Sequence, residues 1–241
     1  MATESKPKVE GKTKVERPVR VDEPRWHASL AVIAVLILYI TLPPKLEFGP
    51  VWLFPVLVLV VLIPLLIFSP SRHQETPTQR AFSIGLIAIV NFFNLISVVR
   101  LITDILHAHV AGAHQATGQE LFVAGAQVWV TNILVYAMWF WEIDGGGPES
   151  RAHASTAMEF AHADFLFPQM LAPDERIVCV EKTWKPLFLD YLYVAFTNAL
   201  AFSPTDAMPT SRTAKMFMLC EAITSFATIA IVVSRGIGII S

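Results

Sequence analysis

The sequence predicts an all-α fold, a polytopic transmembrane helical bundle, and three observations predict it. Apolar residues make up 54% of the 241-residue chain and charged residues only 16%, where a soluble domain carries about a quarter charged. The charges are segregated from apolar runs of spanning length, the pattern a bilayer imposes. Proline, glycine and polar links divide those runs into six stretches. A formal net charge of -2 gives no electrostatic case for a nucleic-acid partner, so the partner implied is the lipid bilayer. Cys179 lies in a polar loop and Cys220 in an apolar helix. Without CxxC spacing, they point to neither a disulfide framework nor a metal site. No cofactor is implied.

Residues 1–25 mix Lys6, Lys8, Lys12, Lys14, Arg17, Arg20 and Arg25 with Glu4, Glu10, Glu16, Asp22 and Glu23. Nothing apolar repeats there, which predicts a disordered cytoplasmic arm. Such an arm either sets orientation as a solvated tail or touches anionic head groups. No small-residue cleavage motif precedes the first apolar run, so no removed signal peptide is expected.

Residues 26–143 predict four spans. The first, 28–42, is short against a core of about 30 Å; Trp26 and Leu46 extend it, and Pro43-Pro44 stops it. The second, 51–68, contains Pro55 and Pro64, which bend or hinge a spanning helix. After the polar link 69–80 comes the third, 81–106, with Asn91, Asn94, Ser97, Arg100 and Asp104 on one arc. Arg100 and Asp104 stand at i and i+4, a spacing that allows pairing. A charge at depth costs about 2.5–3.5 kcal/mol on insertion scales, so these residues face protein or water. Both an ion pair near the interface and a functional polar path satisfy that. His107, His109 and His114 precede Glu120, but no second ligand cluster of matching spacing accompanies them. The fourth span, 121–141, carries Gln127, Thr131 and Asn132 inward and a Trp139–Trp141 aromatic belt.

Glu142 to Pro148 ends that span. Residues 144–183 predict an interfacial or cytoplasmic loop, with Phe160, Phe165, Leu166, Phe167 and Met170 lying at the interface or on the bundle. One E-x-x-H, Glu159 and His162, lacks the pairing that di-metal helical bundles use.

Residues 184–241 combine an aromatic run, a polar turn and a long apolar helix carrying Glu221. Ser225 and Thr228 share the face of Glu221, Thr224 lies beside it, and Asp190, Thr197 and Asn198 add polar groups from the preceding run. Ser203 as N-cap, Pro204 at the first helical position and Asp206 as capping-box acid predict a capped turn within a helical hairpin. That reading gives six spans. It puts the leader, Arg72, Arg80, Arg151, Arg176, Lys182, Lys185 and Arg235 inside, and Lys45, Arg212 and Lys215 outside. The alternative is a re-entrant 186–202, which leaves five spans, places the chain ends on opposite sides and moves Arg212 to the side of the leader.

Tyr191, Tyr193, Phe196, Thr197, Asp206, Pro209, Arg212, Lys215 and Glu221 stand in an order that resembles the pore module of two-helix cation channels. The resemblance implies a re-entrant helix, a selectivity loop, an inner helix and homo-oligomeric assembly around a cation or proton route. The stretch 200–206 departs from it, having no glycine and containing Pro204. A potassium filter needs glycine backbone angles, so potassium selectivity is not expected. FWEIDGGGP from Phe140, FLFPQM from Phe165 and DYLYVAFTNALAFSPTDAMP from Asp190 make nearly the whole chain similar to an uncharacterised family of bacterial multi-pass membrane proteins. That similarity implies the cytoplasmic (inner) membrane and brings no activity.

The expected function is therefore a channel- or transporter-like protein. Its candidate polar path is Asp190, Thr197, Asn198, Glu221, Ser225, Arg100, Asp104 and Asn94, and Ser203, Pro204, Thr205 and Asp206 form either a turn or a modified filter. The competing class is a non-transporting scaffold or sensor that binds partners through 142–185 or the basic arm. No HExxH, GxSxG or P-loop pattern occurs, so no catalytic residue is nominated.

Overall fold

The structure, a computed structural model, describes residues 26–43, 50, 52–68, 77–107, 117–153, 163–170 and 184–240. Seven helices carry it: α1 (Trp26–Ile40), α2 (Leu53–Phe68), α3 (Pro77–His107), α4 (Gly118–Ile143), the short α5 (Pro148–His153), α6 (Phe188–Ala201) and α7 (Arg212–Ile240). Two two-residue strands, β1 (Phe165–Leu166) and β2 (Met208–Pro209), pair antiparallel. Three helical stretches are long and apolar enough to cross a membrane: Pro77–Asp104, Gln119–Gly146 and Arg212–Ser234. The chain is thus a helical membrane-type bundle. The disordered-arm expectation for 1–25, His109, His114, Glu159, His162 and Cys179 lies outside the described residues, as do the side chains of His107 and Pro64.

Helix α4 is the axis of the bundle and packs against α1, α3, α6 and α7. It starts on a complete capping box, with Thr117 N donating to Glu120 Oε2 at 2.7 Å and Glu120 N donating to Thr117 Oγ1 at 3.2 Å. That exchange satisfies two of the amides that a helix start leaves without partners. Its last turn reaches the end of the bundle called the near face below. Helix α3 runs antiparallel to α4, since Arg80 meets Glu142 while Asn94 meets Asn132. Helix α1 ends beside Gln127 and reaches α6 along its body, so it too opposes α4. Phe54 opens α2 between Tyr39 and Phe93, with ring centroids at 4.0 and 4.9 Å.

Between α4 and α7 the approach is close because Gly125 has no side chain. A Cβ placed there would stand 2.3 Å from Val232 Cγ2. In lipid, where helices gain little from apolar burial against each other, such small-residue contacts carry much of the association. Val232 is β-branched and stiff, so it cannot swing clear. Gly125→Ala is expected to lower the unfolding free energy by about 1–3 kcal/mol. Adding Val232→Ala should restore most of it, which denaturant unfolding in detergent would measure.

The order of α6 and α7 corrects the hairpin expectation. Asn198 meets Met218 and Glu221, and further along Phe202 meets Phe226. Both series rise together, so the two helices are parallel. Each opposes α4: Trp141 meets Phe188 and Trp129 meets Phe196, while Trp139 meets Phe217 and Asn132 meets Ser225. Helix α6 therefore enters from the near face and stops part-way through the bundle. Phe202 ends it with left-handed backbone at φ 54°. The chain then returns to the near face, where β2 pairs with β1 and Thr210 N donates to Asp164 O at 2.8 Å.

Consequently no helix starts at Ser203, and the capped-turn reading of Ser203, Pro204 and Asp206 does not hold. The N-cap of α7 is Ser211, whose hydroxyl accepts from Ala214 N at 3.0 Å. Capping rules are local, and a polar turn rich in serine, proline and aspartate satisfies them whichever way the next helix leaves.

Candidate functional site

At the middle of the bundle four helices contribute to one chain of polar side chains. Asn94 on α3 donates through Nδ2 to Asn132 Oδ1 on α4 at 3.1 Å. Asn132 Nδ2 donates in turn to Ser225 Oγ on α7 at 2.8 Å, with the carbonyl of Glu221 also in reach at 3.5 Å. Asn198 on α6 donates through Nδ2 to Glu221 Oε2 at 2.7 Å and to the Met218 carbonyl at 3.0 Å. All five residues are buried, and Glu221 is 0% exposed. Its second oxygen, Oε1, has no hydrogen-bond partner among the described residues. Among the described residues the carboxyl is bonded by the Asn198 amide and by no cation. Lys215, six positions before Glu221 in the sequence, is exposed.

Asn91 extends the polar surface towards the near face, and its Oδ1 is also buried without a partner. Thr224 and Thr228 return their hydroxyls to the carbonyls of Cys220 and Thr224, both at 2.8 Å. They line the helix face of Glu221 without adding free donors.

Of the sequence-predicted path, Asn94, Asn198, Glu221 and Ser225 are brought together. Asp190 is not. It closes the first turn of α6, where Leu187 N donates to Asp190 Oδ2 at 2.6 Å, and it lies eight positions, about 12 Å of helix, from Asn198. Thr197 is half-buried and directs its hydroxyl to the carbonyls of Tyr193 and Val194. Arg100 and Asp104 are half-buried further along α3, about 9 and 15 Å beyond Asn94 towards the far end. Ser203, Pro204 and Thr205 are exposed at the tip of the return and Asp206 is half-buried behind them. Asp206 lies near enough to Asp190 for their charges to interact, as a segment doubling back along α6 requires.

A second buried polar group sits at the near face, and sequence reasoning missed it. Gly145, Gly146 and Gly147 all have positive φ, at 56°, 82° and 99°, which residues bearing a Cβ rarely adopt. This turn aims the carboxylate of Asp144 inward. Its Oδ1 accepts from Asp164 N at 2.7 Å and Phe165 N at 3.1 Å, and its Oδ2 accepts from the Tyr191 hydroxyl. Arg151 donates through Nη1 to the carbonyls of Trp141 at 2.8 Å and Asp144 at 2.6 Å, and its guanidinium lies 5.0 Å from the centre of the Tyr191 ring. Glu142 stands 3.5 Å from Arg80, and Lys185 donates to the carbonyls of Arg151 and Ala152. The stretches beginning at Phe140, Phe165 and Asp190 are thus one contact cluster. Two acids followed by three glycines was the available signal.

Fold and site together define a helical membrane-type protein with a part-way helix, a returning segment and a buried acid on the following helix. No protein-family model matches the sequence, and no curated protein or solved structure matches it either.

Proposed function

We propose that the chain is the subunit of a pore-loop-type channel or transporter of the cytoplasmic membrane, with Glu221 lining a route for cations or protons. The observation that carries this reading is the return of the chain after α6. Phe202 packs on Phe226, 14 positions into α7 and about 21 Å from its start. Exposed Ser203, Pro204 and Thr205 follow on the way back to the near face. Irregular backbone at the depth of a bilayer is tolerated only where protein covers it or water reaches it. A route that passes between this segment and the buried polar chain of Glu221 meets that requirement.

Charge placement supports the same arrangement. With α6 entering and leaving by one face, Arg212 and Lys215 join Arg80, Arg151 and Lys185 among the described residues at the near face. Arg100, on the far half of α3, lies away from that face. By the positive-inside rule the near face is cytoplasmic, and the spans number five. The scaffold reading has less support: the described parts of 142–185 are anchored to the bundle through Asp144, Arg151 and Lys185.

Two measurements test the proposal. In protein with Cys179 and Cys220 replaced by serine, Thr205→Cys should react with a membrane-impermeant thiol reagent from the cytoplasmic side alone. Purified protein in liposomes should pass protons or alkali cations, with Glu221→Gln lowering the flux at least about tenfold. Absence of flux from folded protein, or labelling only from outside, would remove the reading.

A further inference from the structure

Beside the polar chain, between α1, α2, α3 and α4, lies a cavity of about 20 Å³, room for one water-sized species. Val35, Tyr39 and Phe54 form part of its apolar wall. Its polar lining comes from two facing helices, Asn94 and Ser97 at i and i+3 on α3, and Gln127 and Thr131 at i and i+4 on α4.

All four residues line this space, and none of their side-chain oxygens has a hydrogen left to give. Asn94 Oδ1 and Gln127 Oε1 are buried with no hydrogen-bond partner among the described residues, and Asn94 is only 4% exposed. The amide nitrogens are engaged elsewhere, Asn94 Nδ2 on Asn132 and Gln127 Nε2 on Thr41 Oγ1 at 2.9 Å. Ser97 donates its hydroxyl to Phe93 O at 3.1 Å, and Thr131 donates its own to Gln127 O at 2.8 Å. Buried amide oxygens without donors are costly. Two such oxygens on residues that line one cavity, with two hydroxyl-bearing residues beside them, suit a species that supplies positive charge.

We propose that this cavity binds one monovalent alkali cation through the side-chain oxygens of Asn94, Ser97, Gln127 and Thr131. A divalent ion does not suit it, because calcium and magnesium sites draw on carboxylates or retained waters and this lining has neither a carboxylate nor the volume for a hydration shell. Neutral oxygens replacing part of a hydration shell are how membrane proteins hold alkali ions. The site is linked to Glu221 through Asn94 and Asn132, so its occupancy places positive charge beside the polar chain. This inference rests on the cavity and not on the pore reading, and its test measures binding without transport.

The full-length protein in detergent is unfolded thermally in sodium, potassium or choline chloride at equal ionic strength. A bound ion raises the midpoint with the logarithm of its concentration. At a hundredfold excess over Kd the rise is roughly 5–10 °C for a chain of this size, and it is absent in choline. Gln127→Met and Thr131→Val each remove one oxygen at nearly constant volume and should abolish the sodium- or potassium-specific rise while the protein still melts cooperatively in choline. Ser97→Ala provides a third variant should either of those fail to fold. Equal midpoints in all three chlorides would mean that the cavity holds water only and would overturn the proposal. So would an alkali-specific rise that survives in the folded variants.

Discussion

Asp144→Ala is expected to lower the unfolding free energy by about 3–5 kcal/mol, the range for stranding the partners of a buried charge. Three donors lose their acceptor at once: the amides of Asp164 and Phe165 and the hydroxyl of Tyr191. All lie in a cluster whose aromatic members, Phe140, Phe165 and Tyr191, are fully buried, so water does not replace the carboxylate readily. Arg151, whose guanidinium interacts with that charge, would keep its carbonyl partners but lose that interaction. Tyr191→Phe removes one donor and no charge, and should cost only about 0.5–1.5 kcal/mol. Asp144→Asn should fall between, since an amide accepts through one oxygen and places an NH₂ against backbone donors. Denaturant unfolding of the three variants in one detergent gives the order. Equal effects for Asp144→Ala and Tyr191→Phe would mean that the carboxylate does not hold this end of the bundle together.

The consequence reaches further than stability. The strand Phe165–Leu166 is tied to Asp144 and pairs with the strand Met208–Pro209, and that second strand closes the return from α6. The same carboxylate therefore fixes where the returning segment ends and where α7 begins. Loosening it should shift the exposed tip at Ser203 to Thr205, so Thr205→Cys labelling should slow or change side in Asp144→Asn.

What the sequence disclosed follows from which constraints act locally. Apolar length is a local quantity, so the runs now seen as α3, α4 and α7 were legible. So was the polar setting of Glu221, because an acid within a long apolar helix must meet polar groups, and Asn198 and Ser225 were among those the sequence offered, whereas Asn132 stood only in an inward strip of the fourth span. Asp190 was not separable from them by type alone. It was its place in the first turn of α6 that assigned it to Leu187 N. The direction of α7 was not legible, because Ser203, Pro204 and Asp206 satisfy helix-start preferences as well as those of an extended return. What decides between them is the pairing of Met208 and Pro209 with residues more than forty positions earlier. Asp144 was hidden for a similar reason. Its neighbours Gly145 to Gly147 read as a helix stop, and nothing nearby in sequence shows that a left-handed glycine run turns the carboxylate onto Asp164, Phe165 and Tyr191.

Asn198→Leu is expected to cost about 2–4 kcal/mol, more than the loss of one hydrogen bond between neutral groups. Leucine keeps the branched skeleton but is bulkier, so overpacking adds to the loss of the hydrogen bonds. Among the described residues Asn198 supplies the one hydrogen bond that reaches the Glu221 carboxylate, through Oε2, and Oε1 has none. Removing Asn198 Nδ2 leaves a fully buried carboxylate with neither oxygen bonded, and also frees the Met218 carbonyl. Glu221→Met alone strands the Asn198 amide in the opposite sense, at about 1–3 kcal/mol. Together the two changes replace a buried polar pair by an apolar one, which is close to neutral when shape is kept. The double variant should therefore be more stable than Asn198→Leu, with a coupling energy of at least about 1 kcal/mol in a double-mutant cycle. Additive single effects would show that the two side chains do not share an interaction. A folded double variant also separates two roles of Glu221. If the residue only ties α6 to α7, flux should survive in it, whereas a residue that handles the cation or proton itself leaves a stable bundle that conducts nothing.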